Sequence, residues 1–385
     1  MALFTRFLIA QLLLAMSAVT VAQGKVTMQG SDGTALYGEF LETFSTPWAM
    51  ALLPDGQGLV TEKTGTLWLI DQSGKKRFTV SNLPKINAQG QGGLGDIIVH
   101  PDFMNNGLVF LSYVERNAQN TKLSGAVVER AKLTITASGA ALSERNIIWR
   151  QSPKMTGNGH YGHRLAISAE GYLFITSGDR QKFTPAQDMA MNLGKIIRIN
   201  QDGSTPNDNP FYGDGEISGQ IWTIGHRNPL GIDFDAKGNL WAHEMGPRHG
   251  DELNLIERGE NYGYPLVSQG AHYSGADIPN HESKPSFAAP TAYWVPAISP
   301  AGFIIYRGTK FRDWTGDGFV GGLSSKALVR VSFSEHEKPP ILRAQEAARY
   351  EWGSRVREIE QSEAGDIFIL EDGDNGRLLK LSAQP

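Results

Sequence analysis

Pairs of short apolar runs, each joined by a turn of polar residues and glycine, recur along the whole chain. Such a pair is typical of a β-hairpin, because a tight turn leads the chain directly back into an antiparallel partner. Six such pairs are spaced at intervals of about 45 to 70 residues. They begin at Leu52, Ile98, Leu165, Gly231, Gly302 and Ile359.

The spacing of these pairs predicts the architecture. Third apolar runs at residues 66–70, 196–199 and 378–381 extend some of the hairpins, and a four-stranded sheet with long loops fits each interval. We therefore predict an all-β protein, a six-bladed β-propeller with four-stranded antiparallel blades. A two-layer β-sandwich is the alternative, and the repeat is the main argument against it. A short helical turn is expected near residues 344–350, where alanine and glutamate are frequent.

The first residues have the composition of a targeting segment. Arg6 precedes an apolar run over residues 7–21, and Val21 and Ala22 offer small side chains for cleavage. We predict a signal peptide over residues 1–22, a single propeller domain over residues 23–385, and a periplasmic or secreted location. The run is short for a membrane span, so an uncleaved anchor is the less favoured alternative.

Composition excludes several classes of function. The chain has no cysteine, which excludes thiolate catalysis, disulfides and cysteine-ligated metals. Its formal net charge of −4 is unlike that of a nucleic-acid-binding protein, so no nucleic acid is expected as a partner. No later run is long and apolar enough to span a bilayer, and no membrane insertion is expected after cleavage.

A glycine-rich loop at residues 157–162 presents His160 just before an apolar run. A histidine in this position is a candidate general base, because its pKa lies near neutrality. Asp179 ends the next run and is a candidate partner that fixes the tautomer of His160. Each residue also has a simpler interpretation: His160 as a histidine that only hydrogen-bonds a turn, and Asp179 as an ordinary turn residue. These residues alone do not decide between the two interpretations.

The most unusual segment of the chain is residues 225–265. It combines an Arg-Asn pair, two strand-like runs, a Gly-Pro turn, an acidic pair and an aromatic Asn-Tyr-Gly-Tyr-Pro turn. This segment resembles the part of soluble aldose sugar dehydrogenases (the glucose/sorbosone dehydrogenase family) that holds pyrroloquinoline quinone (PQQ) and calcium. Those enzymes are β-propellers, in agreement with the fold predicted from the repeat.

Elements elsewhere in the chain match the same family in the same order. One position departs from the pattern, because His163 stands where the family generally has glycine. A second imidazole so close to the predicted base is expected to alter the sugar pocket or its response to pH. The matching elements are Gly90-Gln91-Gly92-Gly93-Leu94, His160 with Arg164-Leu165, Gly178-Asp179, Arg227-Asn228-Pro229, Gly246-Pro247, Asp251-Glu252, Asn261-Tyr262-Gly263, Lys326, and Arg355 with Arg357.

The resemblance implies a set of residues that contact PQQ. The three carboxylates of PQQ require cations, and arginine supplies planar, paired donors for them. Arg227 is expected to lie against the quinone oxygens and stabilise their negative charge during reduction. The late basic pair has a simpler interpretation as a solvated strand face, and Trp294 fits a core aromatic as well as a stacking residue. The implied cofactor contacts are Gln91, Arg227, Asn228, Trp294, Lys326, Arg355 and Arg357.

The resemblance also implies two calcium ions. The carbonyls of Gly246 and Pro247 would hold the ion that binds PQQ, and Glu252 with the carbonyl of Tyr262 would hold a structural ion. Calcium takes such oxygen ligands. The chain lacks the regular Asp-x-Asp-x-Asp-Gly loop, and the acidic pair also fits an exposed turn, so the residues alone indicate calcium only weakly.

The implied function is oxidation of an aldose sugar at C1 to a lactone, with His160 as base, Asp179 as its partner, and hydride transfer to the quinone. An unidentified electron acceptor would reoxidise the cofactor, and the protein is expected to be a monomer or homodimer. Two alternatives remain. A calcium-dependent hydrolase such as a lactonase needs acidic and asparagine side chains around one central ion, and a non-catalytic propeller would bind a protein partner.

Overall fold

The computed structural model describes residues 25–336 and 341–382. The predicted signal peptide, residues 1–22, lies outside them. The described residues form five sheets, one short helix α1 (Phe103–Asn106), and single-turn 3-10 helices, which confirms the all-β prediction. In this part of the chain no helix has the length and hydrophobicity needed to cross a membrane. The 3-10 helices are Thr184–Gln187, Ser218–Gln220, His281–Ser283 and Arg312–Trp314.

The strands are short and most follow one another as antiparallel neighbours. In chain order they are β1 (Lys25–Gln29), β2 (Ala35–Phe44), β3 (Pro47–Leu52), β4 (Gly58–Glu62), β5 (Thr66–Ile70), β6 (Lys76–Ser81), β7 (Leu94–Val99), β8 (Leu108–Arg116), β9 (Leu123–Thr136), β10 (Gly139–Arg150), β11 (Met155–Thr156), β12 (Gly162–Ile167), β13 (Leu173–Ser177), β14 (Lys195–Ile199), β15 (Ile221–Ile224), β16 (Pro229–Phe234), β17 (Leu240–Glu244), β18 (Asp251–Leu255), β19 (Ala292–Trp294), β20 (Pro300–Ile305), β21 (Gly318–Gly322), β22 (Ala327–His336), β23 (Ile341–Glu351), β24 (Val356–Gln361), β25 (Ile367–Glu371) and β26 (Gly376–Ser382).

Three sheets contain four strands each: β12 to β15, β16 to β19, and β20 to β23. A nine-stranded sheet consists of two four-stranded runs, β3 to β6 and β7 to β10, with β11 beside β9. The two runs are joined only through a short parallel pairing of β6 with β10, in which Val80 lies opposite Ala140. All six predicted hairpins are therefore present, and each is part of a larger antiparallel unit.

The fifth sheet joins the two ends of the described chain, in the order β1-β2-β26-β25-β24. Tyr37 of β2 pairs with Ser382 of β26. The first strand of each antiparallel unit contacts the first strand of the next, and β24 contacts β3 in turn. The strands β3, β7, β12, β16, β20 and β24, which we call the inner strands, therefore form a closed circle.

The prediction of a helical turn near residues 344–350 is wrong. These residues belong to β23, which pairs along its length with β22. Ala348 and Tyr350 are buried between this strand and the neighbouring sheet. Alanine and glutamate favour helices in isolation, but cross-strand pairing and burial outweigh that preference here.

A buried arginine links several inner strands to one another. Arg164 of β12 forms ion pairs with Asp96 of β7 at 3.3 Å and Glu358 of β24 at 2.5 Å. It also donates a hydrogen bond to the carbonyl of Leu230 in β16, and its guanidinium lies 4.1 Å from the ring centre of Trp48 in β3. An arginine buried this deeply needs such partners to offset its lost hydration, so these contacts hold the inner strands in fixed relation.

Candidate active site

A cleft of about 490 Å³ opens where several inner strands begin. Its wall carries few purely apolar side chains and an excess of cations, which is unusual for a pocket in a protein of net negative charge. The polar and aromatic side chains of this wall include those of Trp48, Lys63, Gln91, His163, Asn228, Arg355, Arg357 and Asp372.

His160 and Asp179 form a hydrogen-bonded pair, as the sequence predicted. His160 Nδ1 lies 2.7 Å from Asp179 Oδ1, and both side chains are buried. Asp179 also accepts hydrogen bonds from the backbone N–H groups of Gln181 at 2.9 Å and Phe183 at 3.1 Å. A carboxylate can only accept, so the proton resides on Nδ1 and the lone pair of His160 is on Nε2. That is the tautomer a general base requires.

The surroundings of His160 keep its imidazole neutral. Burial lowers its pKa, the hydrogen bond to Asp179 partly opposes this, and the charge of Arg227 lowers it further. The backbone of His160 is left-handed, with φ +49°, and its N–H donates to Gln91 Oε1 at 2.7 Å. Gln91 therefore positions the base. A role in cofactor binding alone would not explain this hydrogen bond.

Arg227 and Asn228 have buried polar atoms that lack partners. Arg227 Nη1 donates to the carbonyl of Met245 at 2.9 Å, but its Nε and the Oδ1 of Asn228 have no hydrogen-bond partner among the described residues. Buried polar atoms are nearly always bonded, so these two atoms are free to bond a ligand that binds beside them. The carbonyl of Arg227 accepts the N–H of Asp179 at 2.8 Å, which holds this residue beside the His160 pair.

Arg355 and Arg357 meet at one carboxylate that the sequence patterns did not reveal. Arg355 Nε lies 2.6 Å from Asp372 Oδ2, and Arg357 donates two hydrogen bonds to Oδ1 at 3.0 and 3.1 Å. Lys63 lies in the same wall, and burial, followed by the charge of Arg357, lowers its pKa. Three cations facing one carboxylate suit an anionic ligand. Neither Asp372 nor Lys63 stands in a sequence pattern that distinguishes it from an ordinary turn residue.

Two of the predicted cofactor contacts are placed differently. Lys326 is exposed and its side chain does not line this cleft, although its backbone carbonyl accepts the N–H groups of Trp352 and Gly353. Trp294 is buried in the core beside Trp241, and its Nε1 donates to Glu346 at 2.8 Å. The stacking role expected for Trp294 is wrong, because β18 and β23 enclose its ring away from the cleft.

The predicted calcium ligands surround a small cavity next to Arg227. Gly246, Pro247, Glu252 and Tyr262 all line it, together with Glu244, which the sequence patterns did not reveal. Glu244 and Glu252 are both buried, and burial, followed by the charge of Glu244, raises the pKa of Glu252 well above its usual range.

Adjacent buried carboxylates of this kind fit a hard cation. Asp251 does not line this cavity, and its carboxylate accepts the backbone N–H groups of Gly246, Ile298 and Ser299. No group of three or more acidic or histidine side chains close enough for a metal occurs in the described ranges. An ion here would therefore also need backbone carbonyls, such as those of Gly246, Pro247 and Tyr262.

His163 lies in the cleft wall, fully buried against Trp48. Burial lowers its pKa to about 3. Its imidazole is therefore neutral at ordinary pH, so it would not itself titrate in the range in which His160 works, and an effect on the pH response stays a prediction. The other expectation, a change in the shape of the pocket, stays a prediction.

The closed circle of inner strands and the cationic cleft beside a neutral histidine define an enzyme site for an anionic cofactor. Comparison with known proteins agrees. The family model for glucose/sorbosone dehydrogenases matches residues 44–380, so the chain belongs to that family, as its sequence motifs predicted.

Named relatives are similar over most of the chain. The aldose sugar dehydrogenase YliI of Escherichia coli K12 is 35% identical over 348 residues, which cover 87% of this chain and 90% of the relative. Quinoprotein glucose dehydrogenase B of Acinetobacter calcoaceticus is 30% identical over 324 residues, 77% of this chain and 66% of the relative.

Solved structures show the same fold. The apo form of the soluble aldose sugar dehydrogenase from Escherichia coli aligns with a TM-score of 0.82 at 32% identity, covering 91% of this chain and all of that one. The PQQ-bound aldose sugar dehydrogenase from Streptomyces coelicolor aligns with a TM-score of 0.72 at 25% identity, covering 92% and 98%.

Proposed function

We propose that this protein is a PQQ- and calcium-dependent dehydrogenase that oxidises aldose sugars at C1 to lactones. The observation that carries the proposal is the arrangement of the cleft. Cations gather in one wall, and His160, whose N–H bonds Gln91 of that wall, is paired with Asp179, which in turn bonds the carbonyl of Arg227. The names of the relatives, a quinoprotein glucose dehydrogenase and a PQQ-bound aldose sugar dehydrogenase, support it.

The fold that positions this site is, in our interpretation, a six-bladed propeller. Dividing the nine-stranded sheet at the short β6–β10 pairing gives two four-stranded blades, and the other four sheets supply one each. The closed circle of inner strands supports this count. Propellers place their ligands at one end of such a circle.

The residues proposed to contact the cofactor have the charges and polar atoms that PQQ requires. Arg355, Arg357 and Lys63 supply cations for its carboxylates, and Arg227 Nε and Asn228 supply buried polar atoms for the rest of the molecule. When bound, PQQ supplies an electrophilic quinone carbon that takes up a hydride. Lys326 remains a proposed contact that would have to turn its exposed side chain towards the cofactor.

His160 acts as the base in this proposal. Its Nε2 takes the proton from the C1 hydroxyl while the hydride leaves C1, so the sugar loses two electrons and two hydrogens and becomes a lactone. Asp179 then stabilises the imidazolium through Nδ1. Arg227 would stabilise the negative charge on the quinone oxygens of bound PQQ.

Calcium belongs to the same proposal. Gly246 and Pro247 would bind the ion that contacts the cofactor, and Glu252 with Tyr262 would bind a second one. We add Glu244, because its buried carboxylate adjoins Glu252 and is oriented by His226 Nδ1 at 2.9 Å. A hard cation would offset the mutual repulsion of the two carboxylates.

The remaining parts of the proposal concern the whole protein. We propose a signal peptide at residues 1–22, a single domain at residues 23–385, a periplasmic or secreted location, and a monomer or homodimer. A separate electron acceptor would reoxidise the cofactor. A lactonase-like hydrolase is less well supported, because the carboxylates of Asp96 and Glu358 at the centre of the circle are paired with Arg164.

The experiment that tests the proposal is a titration of metal-stripped protein with PQQ, with and without calcium, followed by dye reduction with a panel of aldoses. Activity that requires both PQQ and calcium supports the proposal. Failure to bind PQQ would refute it, and lactone hydrolysis would be measured next. His160→Ala is the matched variant, expected to bind PQQ and lose most of its turnover.

A further inference from the structure

The wall of the cleft contains an aromatic pair that the proposed mechanism does not use. The rings of Trp48 and His163 are stacked, with centres 5.0 Å apart and an angle of 10° between their planes. Both side chains line the same cleft as Lys63 and Arg357. The two rings lie one over the other, and this stack adjoins the cations that suit the cofactor carboxylates.

The fold makes specific room for this imidazole. A Cβ atom at Gly95 would lie 2.0 Å from His163 Cε1 and 2.4 Å from Nδ1, so any side chain at Gly95 would collide with the ring. His163 also has a left-handed backbone, with φ +65°. Such a conformation costs a residue other than glycine on the order of 1 kcal/mol. Strain of this kind gathers at functional sites more often than elsewhere.

Ser112 fixes which nitrogen of His163 carries the proton. The Ser112 hydroxyl donates to the carbonyl of His163 at 2.8 Å and accepts the N–H of Asp96 at 2.9 Å. Its single proton is therefore engaged, and the 2.7 Å contact with Nδ1 must be donated by the imidazole. The lone pair of the ring is then on Nε2, the polar atom that Ser112 does not use.

The cleft wall carries three cationic donors, Lys63, Arg355 and Arg357, and uncharged acceptors that include His163 Nε2 and Asn228 Oδ1. Donors suit the carboxylate and quinone oxygens of PQQ, whereas its pyrrole N–H requires an acceptor. Burial keeps His163 unprotonated, with its pKa lowered to about 3. This hydrogen-bond acceptor, His163 Nε2, is therefore present throughout the pH range in which the enzyme would work.

We propose that His163, whose ring is held by its stack on Trp48, contacts the cofactor through Nε2, which accepts a hydrogen bond from the pyrrole N–H at the edge of PQQ. This inference rests on the proposed use of PQQ. It makes His163 a cofactor-contacting residue and gives a role to the imidazole that replaces the usual glycine. One buried hydrogen bond is expected to strengthen binding by about threefold to tenfold.

The test compares PQQ binding by the calcium-loaded wild-type protein and two variants. His163→Gly removes the ring and suits a φ of +65°, so it should fold. His163→Gln keeps an acceptor near the position of Nε2 but loses the stack. We expect the Kd for PQQ to rise by about threefold to tenfold in His163→Gly and less in His163→Gln, with a shifted absorption maximum of bound PQQ in His163→Gly.

The control is His100→Ala, which removes a histidine that lines a different cavity and should leave both readouts unchanged. Circular dichroism melts establish that each variant is folded. If the wild type does not bind PQQ, the proposed function and this inference both fail. If the wild type binds PQQ and His163→Gly matches it in Kd and spectrum, this inference alone is refuted.

Discussion

Replacing Asp179 by asparagine tests how the base is held. The carboxylate accepts three N–H groups: His160 Nδ1 and the Gln181 backbone at Oδ1, and the Phe183 backbone at Oδ2. An asparagine amide has one oxygen, so its NH₂ group must face one of these donors. If it faces Phe183, a buried N–H loses its acceptor. If it faces His160, the imidazole proton is driven to Nε2 and the basic lone pair is lost.

In both orientations the imidazolium formed during turnover also loses its counter-charge. General-base catalysis contributes about 10²–10⁴-fold, so we expect kcat of Asp179→Asn to fall by about 10²–10³-fold. The unpaired buried donor should lower the free energy of unfolding by roughly 1–3 kcal/mol. The affinity for PQQ should change little, because Asp179 does not line the cleft.

The assay is dye reduction by PQQ-loaded protein at saturating aldose, with the Kd for PQQ measured in parallel. Asp202→Asn is the control, since Asp202 accepts the N–H of Ser204 in an exposed surface turn at 2.9 Å. A folded, PQQ-bound Asp179→Asn that keeps kcat within about threefold of the wild type would refute the assignment of His160 and Asp179.

Three further predictions use other parts of the molecule. Because burial lowers the pKa of His160 and a base must be unprotonated, kcat/KM should rise with pH and level off with a midpoint below 6.5, the ordinary histidine value; a midpoint above that value would contradict the assignment. Calcium should raise the melting temperature of metal-stripped protein, by the equivalent of about 2.7 kcal/mol at a hundredfold excess over Kd; an equal shift in Glu252→Gln would remove Glu252 from the site. Lys195→Met should lower the free energy of unfolding by roughly 3 kcal/mol in urea, because Lys195 Nζ donates to the buried carbonyls of Pro185, Ala186 and Leu193; a loss below about 1 kcal/mol would show that these carbonyls find other partners.

The apolar runs and glycine turns of the sequence predicted the hairpins of the fold, because a hairpin is formed by neighbouring residues. Each predicted hairpin is an antiparallel pair, because two apolar runs joined by a glycine turn are a property of neighbouring residues. Residues 344–350 show the limit of this reasoning. Their helical composition is overridden by pairing with the preceding strand β22 and by burial of Ala348 and Tyr350 against the neighbouring sheet, whose residues are distant in sequence.

In the site too, residues marked by local motifs were predicted, and residues whose roles depend on distant contacts were not. His160 and Asp179 were predicted as a pair because a motif and a strand end marked them, and the structure places them 2.7 Å apart. Asp372 and Glu244 were missed because their roles depend on contacts with residues distant in sequence or on shared burial. Trp294 was misplaced for the converse reason, since only the packing of β19 beside β23 shows that its ring faces the core.

The pairing of β2 with β26 ties the completion of the fold to the order of synthesis. A ribosome makes β2 long before β26, so the edge of β2 that does not face β1 has no partner until β26 has been synthesised. Contacts between residues so distant in sequence form slowly, because a very long loop must close first. A nascent chain of this protein therefore cannot close its circle early, and loss of its last strand would expose two strand edges at once.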